Sequence, residues 1–284
     1  MTTAQLHPRR HVFRGYSTGV SAHIRRPEKY LVKVQGSSSL PPTGGHHESN
    51  VEAKQHNKYL SHGPITTSAY GDYADAQAAI DTTYGRVAFD AVPTETRVTA
   101  SVQDLEVLGR VRIGLAAMGL NARCAHGSDE PVIVPEGCHL NNVSIDGSRL
   151  KITLAEDLFR ECNTLTKLAE KHAALPEDHK CMFLPANAEA NAEANDATGF
   201  PIAKGAVRCT IVKKIEWEGA PVPKVEIHGH VVYIPDFGKV YFGEMFITGH
   251  SRRLSMVRFQ LGSPDGGEIV AADGDVPGST FPPT

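Results

Sequence analysis

Between Lys224 and Ala272 apolar and polar positions alternate in four short runs separated by turn residues. Successive side chains of a strand point to opposite faces, so this alternation predicts strands with one buried face. In the first run Val225, Ile227, Gly229, Val231 and Tyr233 fall on one face, and Glu226, His228, His230 and Val232 on the other. The turn Pro235-Asp236-Phe237-Gly238 closes that run, because proline presets one backbone angle and glycine accepts a positive φ. Val240 and Phe242 resume the pattern, with Met245 and Ile247 continuing it, until Thr248-Gly249-His250-Ser251 interrupts. Leu254, Met256 and Arg258, opposed by Ser255, Val257 and Phe259, make a third strand, and Ser263 to Gly267 leads to a fourth, Glu268 to Ala272. Four strands at this spacing predict the meander of a sandwich or barrel.

A second β run is expected over Arg86–Val92, Thr96–Val102 and Leu105–Gly114, and Val207–Trp217 reads as a strand feeding the meander. Leu115–Cys124 fits a strand or a short helix, since periodicity does not separate the two. Leu140–Leu154 predicts a hairpin whose turn, Asp146-Gly147-Ser148, suits the positive φ that hairpins favour. Leu158, Cys162, Leu165, Leu168, Ala169 and His172 recur at three- and four-residue spacing, predicting a helix over residues 155–175, with Pro176 just beyond. A short helix is expected over Asp72–Thr82, and the doubled Asn-Ala-Glu-Ala within residues 185–199 reads as a surface insertion. Residues 1–70 are polar and broken, with only Tyr30–Val34 strand-like, and read as a long N-terminal extended arm. The expected fold is mainly β: an antiparallel β-sandwich domain over 71–284, its strands at about 84–154 and 205–272, with one packed helix.

The 284 residues are 40% hydrophobic, enough for a substantial core, and a formal net charge of -3 supplies no global field to recruit nucleic acid or an anionic membrane. Charge is uneven, however. Arg9, Arg10, Arg14, Arg25, Arg26, Lys29 and Lys33 face Glu28 alone in the head, whereas Asp265, Glu268, Asp273 and Asp275 lie in the tail without a basic side chain. That asymmetry fits head-to-tail attraction between copies, or two solvated ends. Met1–His11 lacks the apolar core of a signal peptide, and no stretch approaches the roughly 18 apolar residues of a membrane span. The five cysteines include no C-x-x-C pair, which argues against a disulfide framework or a zinc ribbon. Cys209 alternates with Val207 and Ile211 as a core thiol would, and a Cys124–Cys138 link stays open because both flank one apparent hairpin.

The sharpest chemical constellation is His228-Gly229-His230, whose imidazoles would share one face of a strand, followed by Glu244 and His250. This His/His/Glu/His set resembles the metal site of cupins, and the resemblance implies a divalent transition metal and a metal-dependent β-barrel enzyme; the bland reading is a solvent-facing or inter-subunit strand face. His46, His47, His56 and His62 form a second cluster open to weak metal binding. No G-x-S-x-G elbow and no glycine-rich phosphate loop occur, and Glu156 and Asp157 at a helix start are explained by the helix dipole. The basic head lacks interleaved aromatics beyond Phe13 and Tyr16, so nucleic acid is not an expected partner, and no residue is assigned as catalytic.

The run from Arg97 to Gly109, the segment Asn142-Val-Ser-Ile-Asp-Gly147 and the late strand Glu268-Ile-Val-Ala-Ala272 resemble the bacterial surface β-domains grouped as choice-of-anchor proteins, over about half the chain. The resemblance implies a non-enzymatic, extracellular role and brings no catalytic residues. The expected function is therefore structural: a self-assembling, homo-oligomeric subunit of a filament, layer or shell, partnered by copies of itself, without cofactor or membrane span. In this reading the arm of one copy adds to a sheet of the next. The alternatives are the metal enzyme built on His228, His230, Glu244 and His250, and a carbohydrate- or ligand-binding module.

Overall fold

The structure, a computed structural model, describes residues 11–74, 80–81, 86–87, 93–125, 128, 130–183, 202–203 and 205–278. Six strands come first: β1 (Tyr16–Ile24), β2 (Tyr30–Ser39), β3 (Gly45–Val51), β4 (Lys54–His56), β5 (Leu60–His62) and β6 (Ile65–Tyr73). Among the described residues β7 (Ile80–Asp81) and β8 (Arg86–Val87) pair only with each other. The long hairpin β9 (Thr94–Val107) and β10 (Val111–Cys124) precedes β11 (Val132–Pro135) and the hairpin β12 (His139–Ile145) and β13 (Ser148–Leu154). Helices α1 (Glu156–Glu161), α2 (Leu165–His172) and α3 (Glu177–Lys180) then lead to β14 (Ile202–Ala203), β15 (Ala206–Thr210) and β16 (Val212–Trp217). β17 (Glu226–His228), β18 (Val231–Ile234), β19 (Gly238–Thr248), β20 (Ser251–Leu261) and β21 (Gly267–Pro277) complete the chain.

These strands build two antiparallel sheets. The first runs β14-β15-β19-β20-β21-β1-β2, with β18 and β17 branching from β19. The second runs β16-β13-β12-β10-β9-β5-β4, with β11 on β10 and with β6 and β3 branching from β9. They face each other, β9 and β10 against β21 and β1 against β6, and enclose a continuous core that includes Val98, Ile113, Leu120, Leu254, Phe259 and Ile269. The expected sandwich is thus present. The strand expected over Val207–Trp217 serves both sheets: it kinks at the buried Ile211, whose N–H donates to Gly243 O and whose carbonyl accepts from Ala155 N. Leu115–Cys124 is strand throughout, and the Asp146-Gly147 turn has the positive φ predicted, +47° and +86°.

Residues 16–73 correct the expectation of an N-terminal arm. β1 lies inside the first sheet, paired on one side with β21 and on the other with β2, and β6 pairs with β9 along nine residues. The inward positions of this region include Ser17, Gly19, Ser38 and Thr67, alongside Val20, Ala22, Ile24, Val32, Ile65 and Ala69. Gly19 is needed because a Cβ there would collide with Ile65 and with the carbonyl of Gln35. Ser38 Oγ bonds Thr67 Oγ1 at 2.9 Å, and Ser17 Oγ donates to Ser68 O at 3.0 Å, so polar side chains are satisfied inside the sandwich. Close approach of the sheets selects small hydroxylic residues here, which weakens the hydrophobic period along the chain. The pairing of β1 with β21 also brings the basic head and the acidic tail together within one chain.

The helix expected over residues 155–175 is broken. Cys162 to Thr164 leave the helical path, and Thr164 starts α2 afresh by accepting a hydrogen bond from Lys167 N on its side chain. Two tertiary bonds use the carbonyls freed by the break: Asn163 O accepts from Ile133 N, and Cys162 O accepts from Arg252 Nη2 at 2.8 Å. Of the helix expected at Asp72–Thr82, Asp72 and Tyr73 extend β6 and Ile80–Asp81 form β7, while 75–79 and 82 lie outside the described residues, as does the insertion at 185–199. Cys124 and Cys138 are both free thiols, so the link left open between them is not formed.

Candidate functional site

The histidines singled out in the meander do not share a strand face. Gly229, at φ +58°, and His230 form the two-residue turn of the β17–β18 hairpin, in which His228 pairs with Val231. Glycine at the first central position is what a tight hairpin of this hand favours, and the reversal separates the rings. His228 stays exposed and bonds Glu226 at 3.0 Å, whereas His230 is buried, with Nε2 3.9 Å from Glu244 Oε1. His250 occupies the exposed turn between β19 and β20. The four residues are therefore not brought together: His230 and Glu244 meet, and His228 and His250 stand apart. Among the described residues no group of three or more His, Cys, Asp or Glu is placed to hold a metal ion.

Glu244 already has a cation. Arg258 donates to both its carboxylate oxygens, at 2.6 and 2.9 Å, and lies 3.8 Å over the ring of Tyr241, its neighbour in the β19–β20 register. Burial pushes Glu244 up, but His230 and the paired guanidinium pull it down, to about 2. A carboxylate so neutralised is a poor metal ligand and a poor base.

Sequence reasoning missed the adjoining part of the same outer face. β20 and β21 pair Ser255 with Asp273 and Arg253 with Asp275, and β1 pairs Tyr16 with Asp275. Asp273 is only 5% exposed, accepts 3.0 and 3.1 Å bonds from Arg253, and takes a further bond from Ser255 Oγ. Asp275 is half-buried with its Oδ1 unpartnered, and burial, eased by Arg253 but reinforced by Asp273, raises it to about 6. Asp273 is tied up by Arg253 and Ser255, while burial lets Asp275, two residues on, gain or lose a proton near pH 6, an arrangement able to exchange a proton with a bound group. The signal was available in the spacing Asp273-Gly274-Asp275, which puts both carboxylates on one strand face.

Because the folded pKa of Asp275 lies above its unfolded value of 3.8, its contribution to stability is present below that value and lost as pH rises to about 6. Asp275→Asn is expected to stabilise the fold by about 1–2 kcal/mol above neutrality and by little in acid. Urea melts at the two pH values check this, and an equal effect at both would refute it.

Elsewhere, Arg25, Arg26, Gln260, Ser263, Pro264 and Glu268 line an open cleft of about 390 Å³ beside the β20–β21 turn, with mixed charge. Arg252 is 1% exposed, burial lowers it to about 10, and its Nη1 has no hydrogen-bond partner among the described residues. Burial also drives the Cys138 and Cys209 thiols up to about 12, leaving them inert as nucleophiles.

The chain matches the family described as a domain of unknown function, DUF8256, over residues 11–248. It belongs to that family. The DUF8256 match takes in β1 through β19, while β20 and β21, which join β19 to β1 in the first sheet, follow it. Comparison with curated proteins and with solved structures finds no match. No helix among the described residues is long and apolar enough to cross a membrane.

Proposed function

We propose that this DUF8256 chain is a non-enzymatic structural subunit that associates with copies of itself through the free edge of the first sheet, building a filament, layer or shell. The observation that carries the proposal is β2. Among the described residues this ten-residue strand pairs with β1 on one side only, and it exposes Leu31 at 64% and Val34 at 49%, two of their most exposed large apolar side chains. An unpaired strand edge offers N–H and C=O groups to any incoming strand, and natural edges are usually blunted by charge or cover. Lys33 and a register irregularity between Val20 and Ala22 blunt β2 only locally. Beside it, β3 forms the edge of its branch of the second sheet, with Glu48 and the following Glu52 exposed, against the exposed Lys29 and Lys33 of the β2 side. Opposite charge on the two edges favours a second copy over an unrelated partner. The likeness to choice-of-anchor surface domains supports an extracellular setting for such an assembly.

The contact differs from an arm exchange, because deleting residues 1–60 removes β1 and β2 from the sandwich and would unfold it. The informative variant keeps the fold and charges the edge. Light scattering and negative-stain microscopy are expected to show particles from the unaltered protein and monomers from Leu31→Lys/Val34→Lys, whose positions are exposed. A monomeric unaltered protein, or a variant that assembles equally, would sink the proposal.

A further inference from the structure

We propose that His56 and His62 form a two-imidazole seat for a divalent transition-metal ion of the zinc or nickel class. The two rings meet across the β4–β5 hairpin, where Lys54 pairs with His62 and His56 with Leu60. Both are buried, at 5% and 3% exposure, beneath an edge strand whose Lys54 and Gln55 are exposed. Their Nε2 atoms converge to 3.3 Å. His62 Nδ1 lies 2.7 Å from Gly63 O, and a carbonyl only accepts, so Nδ1 carries the proton and Nε2 presents a bare lone pair toward His56. A backbone carbonyl that holds the remote ring nitrogen is the usual support of a metal-binding histidine. Two imidazole nitrogens at about 2.0–2.1 Å from a tetrahedral ion stand about 3.3–3.4 Å apart, so the pair already has the spacing of a chelate.

Without metal, the same geometry is served by His56 Nε2–H donating to His62 Nε2. On metal binding His56 moves its proton to Nδ1, both Nε2 lone pairs face the ion, and no net proton is released. Burial lowers the His56 pKa, the direction that suits a neutral imidazole ligand. The Asp104 carboxylate lies beside Gly63, 3.2 Å from where a Cβ on that glycine would stand. β5 is anchored on β9 through Leu60 and Ser61, which fixes the rings before metal arrives.

Cobalt(II) titration of the full chain tests this through the visible absorption of a low-coordinate ion. One equivalent is expected to bind the unaltered protein and His46→Gln/His47→Gln, which alters exposed histidines of β3, and to bind His56→Gln and His62→Gln at least tenfold more weakly. Zinc added to the ¹⁵N-labelled unaltered protein is expected to shift the Nε2 resonances of His56 and His62 alone, a readout that does not depend on the variants folding. Absence of those shifts, or cobalt binding unchanged in His56→Gln and His62→Gln, would overturn the proposal.

Discussion

Gly238→Ala is expected to destabilise the protein by about 4 kcal/mol, lowering its melting temperature by about 10 °C. Gly238 opens β19 at φ +126°, a conformation that side-chain-bearing residues rarely adopt. A Cβ there would also collide with the backbone carbonyl of Gln260 and approach Gly262 N to 2.6 Å. Neither obstacle is the end of a flexible side chain. Both belong to β20 and its turn, in register with Gly238 through Leu261, so relief would part β19 from β20 at the centre of the first sheet. Gly249→Ala, at the other end of the same hairpin with open space around it, is the control and is expected to stay within about 0.5 kcal/mol. Thermal melts of the two variants decide the matter, and comparable losses would show that the turn geometry is not what the hairpin depends on.

Arg258→Ala is expected to cost about 2–3 kcal/mol at neutral pH, most of it from a Glu244 carboxylate left half-buried without its cation. In the unaltered protein the folded pKa of Glu244 is about 2, below its unfolded value of 4.5, so the stability it brings is present above 4.5 and is lost as pH falls toward 2. Once Arg258 is gone, burial acts on Glu244 opposed only by His230, and its pKa rises. The difference between the two proteins should therefore shrink as pH drops from about 5 to about 3, leaving the lost packing of Arg258 on the Tyr241 ring. Denaturant melts across that range test the sign. A pH-independent difference would mean that the guanidinium acts by packing alone, and a Glu244→Gln/Arg258→Ala double-mutant cycle would measure the pair directly.

Several elements were legible in the chain because their determinants are local. The Asp146-Gly147 and Phe237-Gly238 turns and the alternation of β19 to β21 depend on residues a few positions apart, and they stand as expected. His228-Gly229-His230 shows where local reading divides: alternation treats Gly229 as one more strand position, whereas a positive φ makes it a turn, and one dihedral angle decides whether two histidines share a face. The break after α1 follows from partners distant in sequence, Ile133 and Arg252, that claim the carbonyls of Asn163 and Cys162.

By itself, then, the sequence determined the class of fold, the turns at Asp146-Gly147 and Phe237-Gly238, and the core thiol at Cys209, since each rests on side-chain period or on the backbone freedom of a glycine. The tertiary structure alone decided that residues 16–73 belong to the sandwich, that Ser17, Gly19, Ser38 and Thr67 line its interior, and that Glu244 pairs with Arg258 instead of with three histidines. It also set Asp273 against Asp275, and His56 against His62. The physical reason is common to all of these: hydrogen-bond satisfaction, charge pairing and the spacing of two sheets arise between residues that only folding makes neighbours, and they leave no period along the chain.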